Sequence, residues 1–273
     1  GVSLSSANSI NIGRLIPQIV YYVYCYNHLV NCGKIKFGDK INFSVPTGNF
    51  GNILACYIAK MIGTPINHII CSSNKNNVLT DFFKTGQYNA NRPFYVTNSP
   101  SMDILISSNL ERLLYLMTHD KNYVKELMQS LNQNGSYKVN DVLLAKLHEI
   151  DSVYVDEAKT EGEIKNLYFD KGILIDPHTS VAYSGYLMTK PQGFTVCVST
   201  ASPYKFPKTI AKALGLDSSK DEIALIEEIK NKTGFMPDER ILALKDIKLN
   251  PFVCEKDKIK ENVVKKVKEY AKN

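Results

Sequence analysis

Lys40-Ile41-Asn42-Phe43-Ser44-Val45-Pro46-Thr47-Gly48-Asn49-Phe50-Gly51-Asn52 is the stretch from which the fold can be read. Its first six residues alternate polar and apolar side chains at period two, the pattern of a strand, and Pro46 closes it. A glycine-rich turn follows. Residues 52–61 then carry the apolar stripes Ile53-Tyr57-Met61 and Leu54-Ile58-Ile62 at helical spacing, with Gly63 and Pro65 as stop signals. Residues 66–71 are again a short apolar strand. Strand, turn, helix and strand in such quick succession make a βαβ unit, which implies parallel strands joined by a right-handed crossover. The expected fold class is α/β, three layers with helices around a mostly parallel sheet.

Towards the amino terminus, residues 8–29 repeat apolar positions (Ile12, Leu15, Ile16, Ile19, Val20, Val23) at three and four residues and predict a helix. Its Tyr21-Tyr22-Val23-Tyr24-Cys25-Tyr26 half reads as buried on most sides. Downstream, helices are expected over 77–84, closed by Gly86, and over 108–117, with Leu110, Leu113, Leu114 and Met117 facing the core. Residues 118–170 are more charged and read as a mostly helical, peripheral insertion. Two strand-to-loop passages follow, at 172–176 before Pro-His-Thr-Ser and at 194–198 before Ser-Thr-Ala-Ser-Pro, and then a helix over 208–214. The domain expected is residues 1–210, with 211–273 as its helical extension.

Composition narrows the function classes. The 33 basic and 27 acidic residues give a net charge of +6, but the basic residues are dispersed and thicken only within 256–272. That reads as a solvated helix face, not a nucleic-acid stripe. Six cysteines form no CxxC pair and sit mostly in apolar runs, as buried thiols in a reducing cytoplasm do. No metal-ligand spacing and no nucleophile elbow occur. No apolar run reaches the length of a membrane span, and Gly-Val-Ser-Leu-Ser-Ser lacks the features of a signal peptide. The expectation is a soluble cytoplasmic protein with neither a nucleic-acid nor a membrane partner. A start without Met, inside ordered-looking sequence, suggests a fragment.

In open parallel sheets ligands bind beyond the carboxyl ends of the strands. At the first such end, glycines permit positive φ and close approach of the backbone in residues 47–52, while the next helix offers unpaired N–H groups and its positive dipole end. That combination suits a phosphate, with Thr47 and Asn52 as added donors. The Lys-Ser/Thr pair of a nucleotide P-loop is missing, and so is the third glycine of a dinucleotide fingerprint. A purely structural turn is the alternative. At the other two ends, Ser199 and Thr200 read as a helix cap or as ligand contacts, and His178 as a hydrogen-bonded structural group or a base.

These segments resemble the threonine synthases of bacterial and fungal type. Val-Pro-Thr-Gly-Asn-Phe-Gly-Asn at 45–52 is similar to that family's phosphate loop. The likeness continues through Ala7-Asn8-Ser9-Ile10-Asn11 with Arg14, Asn76-Asn77-Val78-Leu79, Ser99-Pro100-Ser101-Met102-Asp103-Ile104, Ser108-Asn109-Leu110-Glu111-Arg112-Leu113, Asp176-Pro177-His178-Thr179 and Thr200-Ala201-Ser202-Pro203-Tyr204-Lys205-Phe206. The segments occur in the family's order, over roughly residues 4–210.

The resemblance implies a pyridoxal 5'-phosphate enzyme of fold type II, related to the tryptophan synthase β chain, that makes L-threonine and phosphate from O-phospho-L-homoserine and water, a carbon–oxygen lyase reaction of threonine biosynthesis. It assigns the cofactor phosphate to Thr47, Gly48, Asn49, Phe50, Gly51 and Asn52, and the pyridine nitrogen to Thr200. Asn8, Ser9, Asn11, Arg14 and His178 become candidate substrate contacts. Two departures stand out. Ser202 replaces the His of the family's Thr-Ala-His-Pro, and the upstream Ser-Phe-Lys-Asp motif with the Schiff-base lysine is not in this sequence. The chain is therefore expected to be the carboxy-terminal part of such an enzyme, to have the remaining amino-terminal segment as its partner, and to be inactive alone. A non-catalytic phosphate-ligand-binding or regulatory module is the other reading.

Overall fold

A computed structural model describes residues 7–247 and 251–271. They fall into two compact units. The larger spans 8–237, and the smaller comprises Ala7 and the described residues from Asp238 onward.

The larger unit runs α1 (Ile12–Asn31), β1 (Ile41–Pro46), α2 (Gly51–Met61), β2 (Ile66–Ser73), α3 (Val78–Thr85), β3 (Gln87–Asn89), α4 (Leu110–Thr118), α5 (Lys121–Asn134), β4 (Ser136–Lys138), α6 (Asp141–Leu147), β5 (Ile150–Tyr154), α7 (Glu157–Lys171), α8 (Pro177–Thr189), β6 (Thr195–Cys197), α9 (Pro207–Ala213) and α10 (Glu222–Thr233). The main sheet has the order β5-β2-β1-β6 and is parallel throughout. β3 and β4 form a separate antiparallel pair. In the smaller unit, α11 (Glu239–Leu242) and α12 (Ile259–Tyr270) have no buried residue, and the lysines of α12 are solvated.

Alternation along β1 explains the layers. Phe43 packs edge-on against Tyr22 of α1 with ring centroids 4.9 Å apart, and the next residue, Ser44, donates from Oγ to the Ala182 carbonyl of α8 at 2.6 Å. Successive strand residues point to opposite faces, so α1 and α8 cover opposite faces of the sheet. The face towards α1 and α2 is apolar, with Phe43, Val45, Ile53 and Leu54 fully buried. The face towards α8 carries the small polar groups Ser44 and Ser72. No helix among the described residues is long and apolar enough to cross a membrane.

Four expectations are corrected. Residues 172–176 pair with no strand; they are an extended lead into α8, which Asp176 caps by accepting from the N–H groups of His178 and Thr179. The stretch 118–170 is mostly helical as expected but not wholly peripheral, because β5 within it is an edge strand of the main sheet. α1 is buried on one face only. Leu15, Tyr22 and Tyr26 face the core, whereas Tyr21 and Tyr24 are 60% and 68% exposed, since a helix lying on a sheet covers it with a single stripe. Of the cysteines, Cys56 and Cys71 are buried but Cys32 is exposed. Burial pushes the Cys71 thiol up to about 12, which keeps it protonated and inert.

Candidate functional site

β1 lies between β2, reached through α2 on one face of the sheet, and β6, reached from α8 on the other, and a crevice opens beyond its carboxyl end. A cleft of about 270 Å³ lies there. It is lined by residues 46–53 together with Ser9, which precedes α1, Arg14 and Gln18 of α1, Ser101 and Met102, His178, and Thr200. Residues as far apart in the sequence as Ser9 and Thr200 thus meet at one strand end, and nearly every expected site residue is among them. Asn8 and Asn11 are not. The side-chain oxygen of Asn8 accepts from the Ile10 N–H at 3.2 Å, and that of Asn11 caps α1 by accepting from the Gly13 N–H at 2.7 Å.

The loop that opens the cleft is held by its carbonyls. Ser107 Oγ donates to the Gly48 carbonyl at 2.8 Å, and Asn109 donates to the Asn49 carbonyl from both its backbone N–H, at 3.1 Å, and its Nδ2, at 2.8 Å. In a trans peptide the N–H points opposite to the C=O, so tying these carbonyls to one side turns the N–H groups of Asn49 and Phe50 to the other. The backbone N–H groups of residues 48–53 find no acceptor among the described residues. They include the first N–H groups of α2, where the helix dipole adds positive potential.

The loop glycines work differently from the expectation. The left-handed residue is Phe50, at φ 64°, and neither Gly48 nor Gly51 has positive φ. Gly48 is needed for space instead. A Cβ there would lie 3.0 Å from Met102 Cα and 3.1 Å from the Ser101 carbonyl oxygen, whereas a Cβ on Gly51 would meet nothing closer than Asn109 Nδ2 at 3.5 Å.

The side chains around the loop are partly committed. Thr47 Oγ1 donates to the Val45 carbonyl at 2.8 Å, which leaves its lone pairs. Tyr22 donates from its hydroxyl to the side-chain oxygen of Asn52, so what Asn52 retains for a ligand is its NH₂ group. Burial, with the neighbouring Cys56 and Cys25 thiols, raises the Tyr22 phenol well above its ordinary value and keeps it a donor. Arg14 is the charged residue in the lining; no carboxylate and no lysine is part of it. A donor-rich, acid-free cleft of this kind accepts an anion. No cluster of side chains suited to a metal ion occurs among the described residues.

Sequence reading left Gln18, Ser101, Met102, Ser107 and Asn109 without a role, although the Ser99–Ile104 and Ser108–Leu113 segments carried a family signal. Asn109 is fully buried, and its Nδ2 also reaches the Ser9 carbonyl at 3.0 Å, while Arg112 Nη2 holds the Ile10 carbonyl at 2.8 Å. Asn109→Ala should cost about 1–3 kcal/mol, because the part-buried Ser9 carbonyl loses its donor and the Asn49 carbonyl loses one of its two. Urea unfolding checks this, and an unchanged midpoint and slope would show that water replaces the amide.

No family model matches the chain. Among curated proteins, Threonine synthase-like 1 of Macaca fascicularis is 45% identical over 221 residues, which are 78% of this chain and 29% of that protein. Among solved structures, threonine synthase from yeast superposes with a TM-score of 0.83 at 30% identity, covering 97% of this chain and 54% of its own. PLP-bound threonine synthase from Brucella melitensis gives 0.72 at 35% identity over 78% of this chain and 45% of its own. The chain therefore spans less than a third of the first protein's length and about half of the other two.

Proposed function

The chain is homologous, over most of its length, to about half of a threonine synthase, and on that premise we propose that its cleft holds the phosphate of pyridoxal 5'-phosphate as one wall of a threonine synthase site. One observation carries the reading. The unpartnered N–H groups of residues 48–53 line an acid-free cleft whose loop carbonyls are tied away from it. A phosphate takes such donors without any side-chain charge. The residues present fit the group: Gly48, Asn49, Phe50, Gly51 and Asn52 through the backbone, Asn52 also through its NH₂, and Thr47 by accepting from a protonated phosphate oxygen or by turning its hydroxyl.

Bound pyridoxal phosphate supplies an electron sink for carbanion chemistry at a substrate amino acid. Thr200 is proposed to face the ring nitrogen, where a hydroxyl does not hold that nitrogen protonated as a carboxylate does. The proposed reaction of the whole enzyme is conversion of O-phospho-L-homoserine and water to L-threonine and phosphate, in the cytoplasm. Ser9, Arg14 and His178 are proposed to border the substrate side of the cleft; Asn8 and Asn11 act there only through the start of α1. The relatives extend well beyond the span matched here, and the lysine that holds the cofactor aldehyde is proposed to come from sequence outside this chain. By itself, then, the chain acts as a phosphate-ligand module.

Two measurements test this. Calorimetric titration should show weak, reversible binding of pyridoxal phosphate that inorganic phosphate competes away. Incubation with O-phospho-L-homoserine and the cofactor should release no phosphate above background; steady turnover by the pure chain would overturn the inactive-alone reading.

A further inference from the structure

His178 is a fully engaged side chain at the edge of the cleft, and its partners define its protonation. Its Nε2 lies 3.2 Å from the backbone nitrogen of Ser101, its Nδ1 lies 3.0 Å from Asp176 Oδ1, and the residue is 3% exposed. A backbone N–H can only donate, so Nε2 is the acceptor and the ring proton sits on Nδ1, donated to the carboxylate. Asp176 is itself fixed at the start of α8, where its carboxylate accepts from the His178 N–H at 2.8 Å and from the Thr179 hydroxyl. The ring also packs at a tilt against Phe206, centroid to centroid 4.7 Å.

The residue whose N–H His178 holds, Ser101, is also the one whose carbonyl Gly48 approaches. The Ser101 carbonyl and Met102 Cα are the atoms a Cβ at position 48 would strike. We infer that His178 is a positioning residue for the anion-binding loop. Through Ser101 it fixes the wall against which Gly48 packs, and so sets where the N–H groups of residues 48–53 point. It does this as a neutral hydrogen-bond acceptor, with its lone pair occupied, and not as a proton carrier. This inference rests on the phosphate reading of the cleft.

Gln and Ala at position 178 separate the roles. The side-chain oxygen of Gln can stand where Nε2 stands and accept from Ser101, whereas Ala removes the acceptor. The affinities of wild type, His178→Gln and His178→Ala for pyridoxal phosphate and for inorganic phosphate are compared by calorimetry. Expected is about tenfold weaker binding of both probes by His178→Ala, the loss of one well-placed hydrogen bond, with His178→Gln restoring most of it. Undiminished binding by His178→Ala, or equal weakening by both variants, overturns the assignment to His178 while wild-type binding leaves the phosphate reading in place. A wild type that holds neither probe overturns the phosphate reading and this inference together. If the Ala variant does not fold, ¹⁵N spectra of the wild-type imidazole decide. An unprotonated Nε2 with a protonated Nδ1 at neutral pH supports the inference, and a protonated Nε2 overturns it.

Discussion

Gly48→Asp is expected to weaken pyridoxal phosphate binding by at least about a hundredfold, near 2.7 kcal/mol, while leaving the chain folded. Two effects combine. The new Cβ must find room 3.0 Å from Met102 Cα and 3.1 Å from the Ser101 carbonyl oxygen, and these backbone atoms cannot step aside cheaply. Ser101 is held by His178, and the Met102 N–H donates to the Ser99 carbonyl at 3.0 Å. Just beyond, Asp103 accepts from Asn74 at 2.7 Å, Asn76 at 3.0 Å, and both the N–H and the hydroxyl of Thr97. The loop must move instead, and with it the N–H groups of residues 48–53. The carboxylate then adds a negative charge to a cleft that has none in its lining.

Gly48→Ala isolates the steric part and should cost about tenfold in binding, because the wall need yield only by tenths of an ångström. Gly51→Ala is the control. Its Cβ meets only ordinary contact at 3.5 Å, the backbone there is not left-handed, and Ala favours the helix it opens, so binding should change by less than about threefold. Calorimetry on the four proteins checks the order. Equal loss from Gly48→Ala and Gly51→Ala would mean that the loop tolerates no side chain anywhere, and the wall formed by Ser101 and Met102 would lose its significance.

The contrast between these two glycines shows where sequence reading stopped. Both stand in one glycine-rich turn between a strand and a helix, and the pattern treats them alike. What separates them is a contact with residues 101–102, more than fifty positions away in the chain, which no local period encodes. The β1–turn–α2–β2 unit was legible because alternation, glycine and a regular apolar stripe are all local signals. β5 was not. Ile150-Asp151-Ser152-Val153-Tyr154 is a mostly half-buried edge strand, with Asp151 facing His68 of β2 at 2.9 Å, and it sits in a charged, helix-rich stretch that masks it. The cleft residues were legible in part through the family motifs. Their division of labour was not: Asn11 caps its own helix, His178 is bound to Asp176 and Ser101, and Ser107 and Asn109 hold the loop from outside.

α8 was hidden for a different reason, and that reason leads to the largest expected effect on stability. Its buried positions include His178, Thr179, Ser180, Ser184 and Gly185, so it shows no apolar stripe even though it fills the centre of one sheet face. Small groups let the helix lie close. Ser44 Oγ bonds to the Ala182 carbonyl and lies 3.1 Å from Ser72 Oγ, and a Cβ on Gly185 would fall 2.0 Å from Ser72 Oγ, 3.0 Å from Ser72 Cβ and 3.2 Å from Ser44 Oγ. Helix propensity alone favours Ala over Gly by about 1 kcal/mol. Overpacking opposes it by about 1–3 kcal/mol, and contact at 2.0 Å puts this site at the upper end. Gly185→Ala should therefore be destabilised by about 1–2 kcal/mol net, and Gly185→Val, which adds two more carbons against β1 and β2, by more than about 3 kcal/mol, a fall of roughly 6–12 °C in the thermal transition. Ser72→Ala removes the nearest atom. In that background Gly185→Ala should cost clearly less than alone, a coupling of about 1 kcal/mol between two residues in contact. Additive effects of the two substitutions, or a Gly185→Val chain as stable as wild type, would mean that α8 stands off the sheet and that Ser44 and Ser72 are packed by something other than this helix.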